Sequence, residues 1–238
     1  MIAGQANRGA ETMKFLIPGG LLIAVEGIDG AGKTSAASLL AQYCGERGIA
    51  CVLSKEPTSL RWGQELRRSA QEGRLTLEEE LRLFRLDRAM HVRGTIRPAL
   101  AAGCVVIVDR YYWSTAAYQG ARGADPAALI ADHETFAPRP HAVLLLDIPA
   151  IAGLERIRRR GDEPNSFENA HALESARAIF LDLAACFPET AHIIDASASA
   201  RDVARRCLAT MTALASSRLS ADPAALAWLR DGIASTGD

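Results

Sequence analysis

The stretch Gly27-Ile28-Asp29-Gly30-Ala31-Gly32-Lys33-Thr34, followed by Ser35, has the spacing G-x-x-x-x-G-K-[ST]. Glycines so placed let the backbone curl until several N–H groups converge, and a helix starting at Lys33 adds its positive end. That arrangement holds a chain of phosphates. Lys33 would reach the β- and γ-phosphates of a nucleoside triphosphate, and the Thr34 hydroxyl would bind Mg2+. Asp29 is the anomaly, an acid inside an anion cradle. The apolar run LLIAV precedes the loop, and Ala36, Leu39, Leu40 and Tyr43 follow it at helical spacing. The loop therefore joins a strand to a helix. A ligand-free glycine turn is the alternative reading.

Other residues extend this chemistry. The run CVVIV ends in Asp109-Arg110, an acid suited to a water-mediated Mg2+ contact beside a fixed cation. A solvated ion pair at a strand end is the bland alternative. Arg156, Arg158, Arg159 and Arg160 cluster before a Gly/Asp/Pro/Asn stretch. An arginine-rich helix end is commonly a solvated face near the negative end of the dipole. In a phosphoryl-transfer enzyme it can instead close over the transferring group and stabilise spread charge. Phe84 and Arg88 stand four apart, as do Thr115 and Gln119, so each pair shares a helix face. A pyrimidine could stack on Phe84 while Arg88 donates to a base carbonyl. Otherwise Phe84 belongs to the core and Arg88 to the surface.

The elements that must position these groups are legible as apolar runs. LLIAV (21–25), CVLS (51–54), CVVIV (104–108), AVLLLDI (142–148) and HIID (192–195) are continuous rather than alternating, which suits strands buried on both faces of a parallel sheet. Helical spacing fills the intervals 33–47, 60–71, 77–101, 114–133, 150–160 and 170–185. Strand alternating with helix predicts a doubly wound α/β fold. Residues 1–18 read as a flexible extension with Met13 as an alternative start, 19–212 as the domain, and 213–238 as a tail. In the tail, Asp222 before Pro223 marks a helix start.

Composition narrows the function classes. The 238 residues suffice for one α/β domain, and the net charge of -1 provides no global field for nucleic acid or anionic membrane. Cys44, Cys51, Cys104, Cys186 and Cys207 are odd in number and scattered, as in reduced thiols of a cytoplasm. The histidines show no zinc spacing. With no signal-peptide pattern and no run near membrane-spanning length, a soluble intracellular protein is expected.

Over roughly residues 21–210 the chain resembles thymidylate kinase, a family of P-loop nucleoside monophosphate kinases. The resemblance rests on VEGIDGAGKTS, KEPTSLRWGQELR, LRLFRLDRAMH, VIVDRYYWSTAAYQG and LERIRRRG, with DAS at 195–197. It implies a P-loop NTPase sheet of five parallel strands ordered 2-3-1-4-5. It also implies transfer of the γ-phosphoryl of ATP to dTMP with Mg2+, in a cytoplasmic homodimer without nucleic-acid or membrane partners. By resemblance, Gly27, Ile28, Asp29, Gly30, Ala31, Gly32, Lys33, Thr34, Ser35 and Arg156 bind ATP, and Thr34 and Asp109 serve the metal. The acceptor would meet Glu56, Arg67, Phe84, Arg88, Thr115 and Gln119, with Arg110 on its phosphate. Tyr118 would crowd the ribose 2′ position, and Asp29 would accept from the sugar 3′-hydroxyl. Lys33, Asp29, Arg110, Arg158 and Arg160 would be catalytic; some members of the family carry the catalytic arginine in the phosphate loop, and with none there the LERIRRRG segment, the family's lid, is left to supply it.

Three departures from the family pattern stand out. Glu56-Pro57-Thr58-Ser59 replaces E-P-G-G, Asn165-Ser166-Phe167-Glu168 replaces D-R-x-E, and the phosphate loop carries no arginine. They leave open a kinase for another deoxynucleoside monophosphate such as dUMP. A P-loop ATP-binding regulator without an acceptor is the third reading.

Overall fold

The computed structural model describes residues 15–159, 161 and 169–219. Its strands are β1 (Leu21–Glu26), β2 (Cys51–Lys55), β3 (Val105–Asp109), β4 (Ala142–Asp147) and β5 (Ala191–Asp195). They form one parallel sheet in the order β2-β3-β1-β4-β5, as the sequence led us to expect. Leu21 lies opposite Val105, Cys51 opposite Val105, Ile23 opposite Ala142 and Val143 opposite Ala191. The three inner strands are covered on both faces, and their β-branched and leucine side chains form the core. The outer strands are half covered, leaving Leu53 and Ile193 exposed.

The helices are α1 (Lys33–Glu46), α2 (Arg61–Glu72), α3 (Leu77–His91), α4 (Arg97–Ala101), α5 (Tyr112–Gly120), α6 (Pro126–Glu134), α7 (Ala150–Arg159), α8 (Ala170–Cys186) and α9 (Ala200–Leu219). Thr76 starts α3 with a reciprocal cap, accepting from the Glu79 N–H while the Glu79 side chain accepts from Thr76. The helical path expected over 77–101 is present, interrupted by a π-helical turn at Val92–Ile96. The single helix expected over 114–133 is not. It divides into α5 and α6 because Gly123 adopts φ 101° and Asp125 caps a new start ahead of Pro126, accepting from the Ala127 and Ala128 N–H groups.

From β1 the chain proceeds to β2 and β3 on one side and later to β4 and β5 on the other. The crevice at the carboxyl end of β1 is thus the switch point where α/β sheets bind ligands. At the N-terminal boundary, Phe15 pairs with Ile49 in a parallel bridge and Ile17 is buried. At the other end α9 runs on to Leu219, while the helix start at Asp222 lies outside the described residues.

Candidate active site

The loop after β1 turns through Gly30 (φ 81°) and Gly32 (φ 94°), conformations that side-chain-bearing residues rarely adopt. Gly30 also packs against the start of α7. A Cβ there would lie 2.2 Å from the Gly153 carbonyl oxygen, and one on Gly153 would lie 2.6 Å from the Asp29 carbonyl oxygen. Lys33 is buried and its Nζ donates to the Ile28 carbonyl at 2.6 Å. Burial, reinforced by the Arg110 charge, lowers the Lys33 ammonium to about 8 despite the acids around it.

Thr34 Oγ1 donates to Asp109 Oδ2 at 2.6 Å, and Lys55 Nζ stands 3.6 Å from the same oxygen. Asp109 is 3% exposed, yet its Oδ1 has no hydrogen-bond partner. An orphaned carboxylate oxygen beside a hydroxyl at the phosphate loop fits Mg2+, which binds through one or two protein oxygens plus phosphates and water. Among the described residues there is no cluster of three acids, histidines or cysteines that would hold a metal independently of phosphates.

Arg110, directly after β3, adopts φ 68°, a left-handed conformation unusual for a side-chain-bearing residue. This turn aims its guanidinium back at the phosphate loop, where Nη2 pairs with Asp29 Oδ1. Asp29 Oδ2 accepts from the Tyr118 hydroxyl at 2.8 Å. Burial alone would raise the Asp29 carboxyl, but Arg110, Lys33 and the Tyr118 hydroxyl outweigh it and hold it down at about 2. The acid in the cradle is therefore an ionised latch on Arg110.

Beyond this pair opens a cavity lined by Asp29, Glu56, Arg67, Phe84, Arg88, Arg110, Thr115, Tyr118 and Gln119, with Tyr111 and Ser114 between them. The structure thus gathers the expected acceptor residues from the segments just after β2 and β3 and from α2, α3 and α5. Arg67 donates to the Pro57 carbonyl at 2.6 Å. Arg88 is no surface charge: at 1% exposure it donates Nε to Glu56 Oε2 at 2.8 Å and Nη2 to Thr115 Oγ1 at 3.0 Å. Its Nη1 lies 2.9 Å from His133 Nε2. Burial, then the charges of Arg88 and Arg85, depress the His133 imidazole to about 2, so it is neutral and accepts. His91 Nδ1 lies 2.8 Å from Glu56 Oε1, and its Nε2 lies 2.6 Å from Ser54 Oγ.

On the opposite side of the loop, Arg156 Nη2 donates to the Ala196 carbonyl at 2.8 Å. Arg156 and Arg159 line a second cavity with Gly32, Ser35 and Leu39. Positions three apart on α7 share a face, whereas Arg158 is exposed and outside that lining. The resemblance gave Arg159 no role, but α7 places it on this wall beside Arg156. Arg160 and Asn165–Glu168 lie outside the described residues.

Two features stand out as missed from sequence. Glu26, at the end of β1, is fully buried and accepts from the Tyr111 N–H at 2.8 Å and the Ser114 N–H at 3.2 Å. Burial outweighs these bonds and raises its carboxyl to about 7. A glutamate ending an otherwise apolar run was the available signal. The Thr58 that replaces a glycine is anchored by Asp87, which accepts from its N–H at 2.7 Å and its hydroxyl at 2.6 Å.

A family model described as thymidylate kinase matches residues 25–207. The chain belongs to the thymidylate kinase family. The protein named thymidylate kinase from Xanthomonas campestris pv. campestris (strain B100) is 52% identical over 204 residues, covering 86% of this chain and 88% of that one. The Xylella fastidiosa (strain M23) protein of the same name is 45% identical over 206 residues, covering 87% and 93%. The crystal structure of thymidylate kinase from Ehrlichia chaffeensis superposes with a TM-score of 0.64 at 28% identity, covering 83% of this chain and 99% of that one.

Proposed function

We propose that this protein transfers the γ-phosphoryl group of ATP to dTMP, giving dTDP, with Mg2+ as cofactor. One observation carries the reading: Asp29 and Arg110 form the common wall between the phosphate-loop cleft and the cavity of Phe84, Arg88 and Gln119. A donor phosphate chain and an acceptor phosphate would meet there. A regulatory ATP-binding protein has no use for a second chamber so placed.

In this reading the N–H groups of the loop, from Gly27 to Ser35, cradle the donor phosphates, and Lys33 exchanges the Ile28 carbonyl for them. Thr34 and Asp109 would hold Mg2+, which when bound offsets charge on the β- and γ-phosphates. Arg110 would take the acceptor phosphate, releasing Asp29 to receive the sugar 3′-hydroxyl. Phe84 stacks on the base, Arg88 donates to it, and Glu56 and Arg67 complete the wall. Tyr118 occupies the ribose 2′ side. Arg156 backs the donor nucleotide, and Arg158 and Arg160 supply charge to the group in flight. Fixing both reactants in line supplies most of the acceleration expected of such a site.

The homodimer and the cytoplasmic location belong to the same proposal. Cysteines free of disulfides, as all five are here, suit a reducing compartment. No helix among the described residues is long and apolar enough to cross a membrane. A coupled assay of ADP release across dTMP, dUMP, dCMP and dGMP tests the acceptor, with light scattering for the dimer. The highest kcat/KM with any acceptor but dTMP refutes the assignment.

A further inference from the structure

Gln119 is fully buried in the wall of the acceptor cavity, and its side-chain amide is half satisfied. Its Nε2 donates to Glu80 Oε2 at 3.1 Å, while its Oε1 has no hydrogen-bond partner. Glu80 is itself 0% exposed. Arg74 Nε donates to its Oε1 at 2.9 Å, and Arg122 Nη1 donates to its Oε2. Arg122 is steadied in turn by the Leu75 carbonyl at 3.1 Å. A carboxylate between two guanidinium groups accepts on both oxygens and has nothing to donate. The Gln119 amide can therefore present only its NH2 to Glu80. A carbonyl oxygen is left in the cavity wall, and a buried acceptor without a donor is costly until a ligand supplies one.

We propose that Glu80 is a positioning residue that sets which pyrimidine edge the site admits. By locking the Gln119 amide, it presents an acceptor that receives a ring N3–H. The same lock refuses a ring whose N3 is itself an acceptor. Thymine and uracil carry the N3–H; cytosine carries a lone pair there and would leave two acceptors facing each other. The proposal rests on the reading of this cavity as the acceptor-nucleotide site. It adds that base choice is made one layer behind the residues that touch the base, at a carboxylate on α3 acting through α5.

The test is steady-state kinetics of the full chain with dTMP, dUMP and dCMP. In Glu80→Gln the new side chain offers both a donor and an acceptor, so the Gln119 amide is free to turn over. The dTMP-over-dCMP ratio of kcat/KM should fall roughly ten- to a hundredfold, carried by KM. The dTMP-over-dUMP ratio should stay at its wild-type value, because those two bases share the N3–H edge. A purely architectural role for Glu80 predicts instead a parallel loss with all three acceptors, and that result overturns the proposal, as does an unchanged dTMP-over-dCMP ratio. Gln119→Met supplies a second route should Glu80→Gln fail to fold. It removes the acceptor while Glu80 keeps Arg74 and Arg122, and retention of the wild-type dTMP-over-dCMP ratio in it overturns the proposal. Wild-type protein without a preference for dTMP over dCMP would instead refute the reading of the cavity itself.

Discussion

Glu26 makes folding stability depend on pH in a direction opposite to that of an ordinary paired carboxylate. Its carboxyl rises from 4.5 to about 7 because the side chain has no contact with water. Between those values the folded chain keeps a proton that the unfolded chain has released, so folding takes up a proton and stability declines as pH increases. The contribution is complete below pH 4.5 and gone once pH passes 7. At about 1.4 kcal/mol for each tenfold difference in proton affinity, the full span is about 3 kcal/mol. Glu26→Gln cannot titrate, and every other ionisable group is shared with wild type. The wild-type-minus-variant difference in unfolding free energy, from urea denaturation at pH 4.5 to 8, should therefore shrink by about 3 kcal/mol towards alkaline pH. Parallel curves across that range would show that Glu26 is ionised in the fold, and the burial argument would fail. The consequence reaches the site, because Glu26 receives the Tyr111 and Ser114 N–H groups from which α5 departs towards Thr115, Tyr118 and Gln119.

Tyr118→Ala should relax selection against ribo-TMP by about 1–3 kcal/mol while Tyr118→Phe retains it, measured as the dTMP/ribo-TMP ratio of kcat/KM. An unchanged ratio in the alanine variant removes Tyr118 from sugar selection. Asp29→Asn should depress turnover with dTMP, spare the KM for ATP, and affect the 3′-deoxy acceptor much less; equal losses with both acceptors would contradict a contact to the 3′-hydroxyl. Arg158→Ala should lower kcat by about 10³ with little change in either KM, the mark of a contact made in the transition state. Arg156→Ala and Arg159→Ala, on the donor-side wall, should raise the KM for ATP several-fold instead, and the reverse pattern would reassign the three arginines. Asp109→Asn should raise the Mg2+ concentration for half-maximal rate about tenfold, read from a Mg2+ titration at saturating ATP and dTMP.

What was legible in the sequence is what local geometry dictates. The glycine spacing before Lys33, the continuous apolar runs of β1, β3 and β4, and the four-residue spacing of Phe84 and Arg88 each follow from a short stretch of chain. Contacts that cross between elements were not legible. Nothing near Arg88 announces that Glu56 just after β2, Thr115 from α5 and His133 from α6 will surround it. Glu80 reads as one of three acids in the first turn of α3, although the other two face away and it alone among them is fully buried. The division of the helix expected over 114–133 was signalled by Gly123, Asp125 and Pro126, and a helical pattern on either side concealed it. Arg159 was given no role beside Arg156, Arg158 and Arg160, yet a helix brings positions three apart onto one face, and Arg159 joins Arg156 on the donor-side wall.

The contact between Gly30 and Gly153 bears on how the arginine-bearing helix can move. Neither position can acquire even a methyl group unless the other backbone retreats, so the two sites constrain each other's sequence drift although they lie far apart in the chain. The same absence of slack bolts the root of α7 to the phosphate loop. Any swing that carries Arg158 towards a phosphate must then pivot beyond Gly153. The arc available to that arm is set by less than two helical turns, and its pivot stays in register with the cradle before any nucleotide arrives.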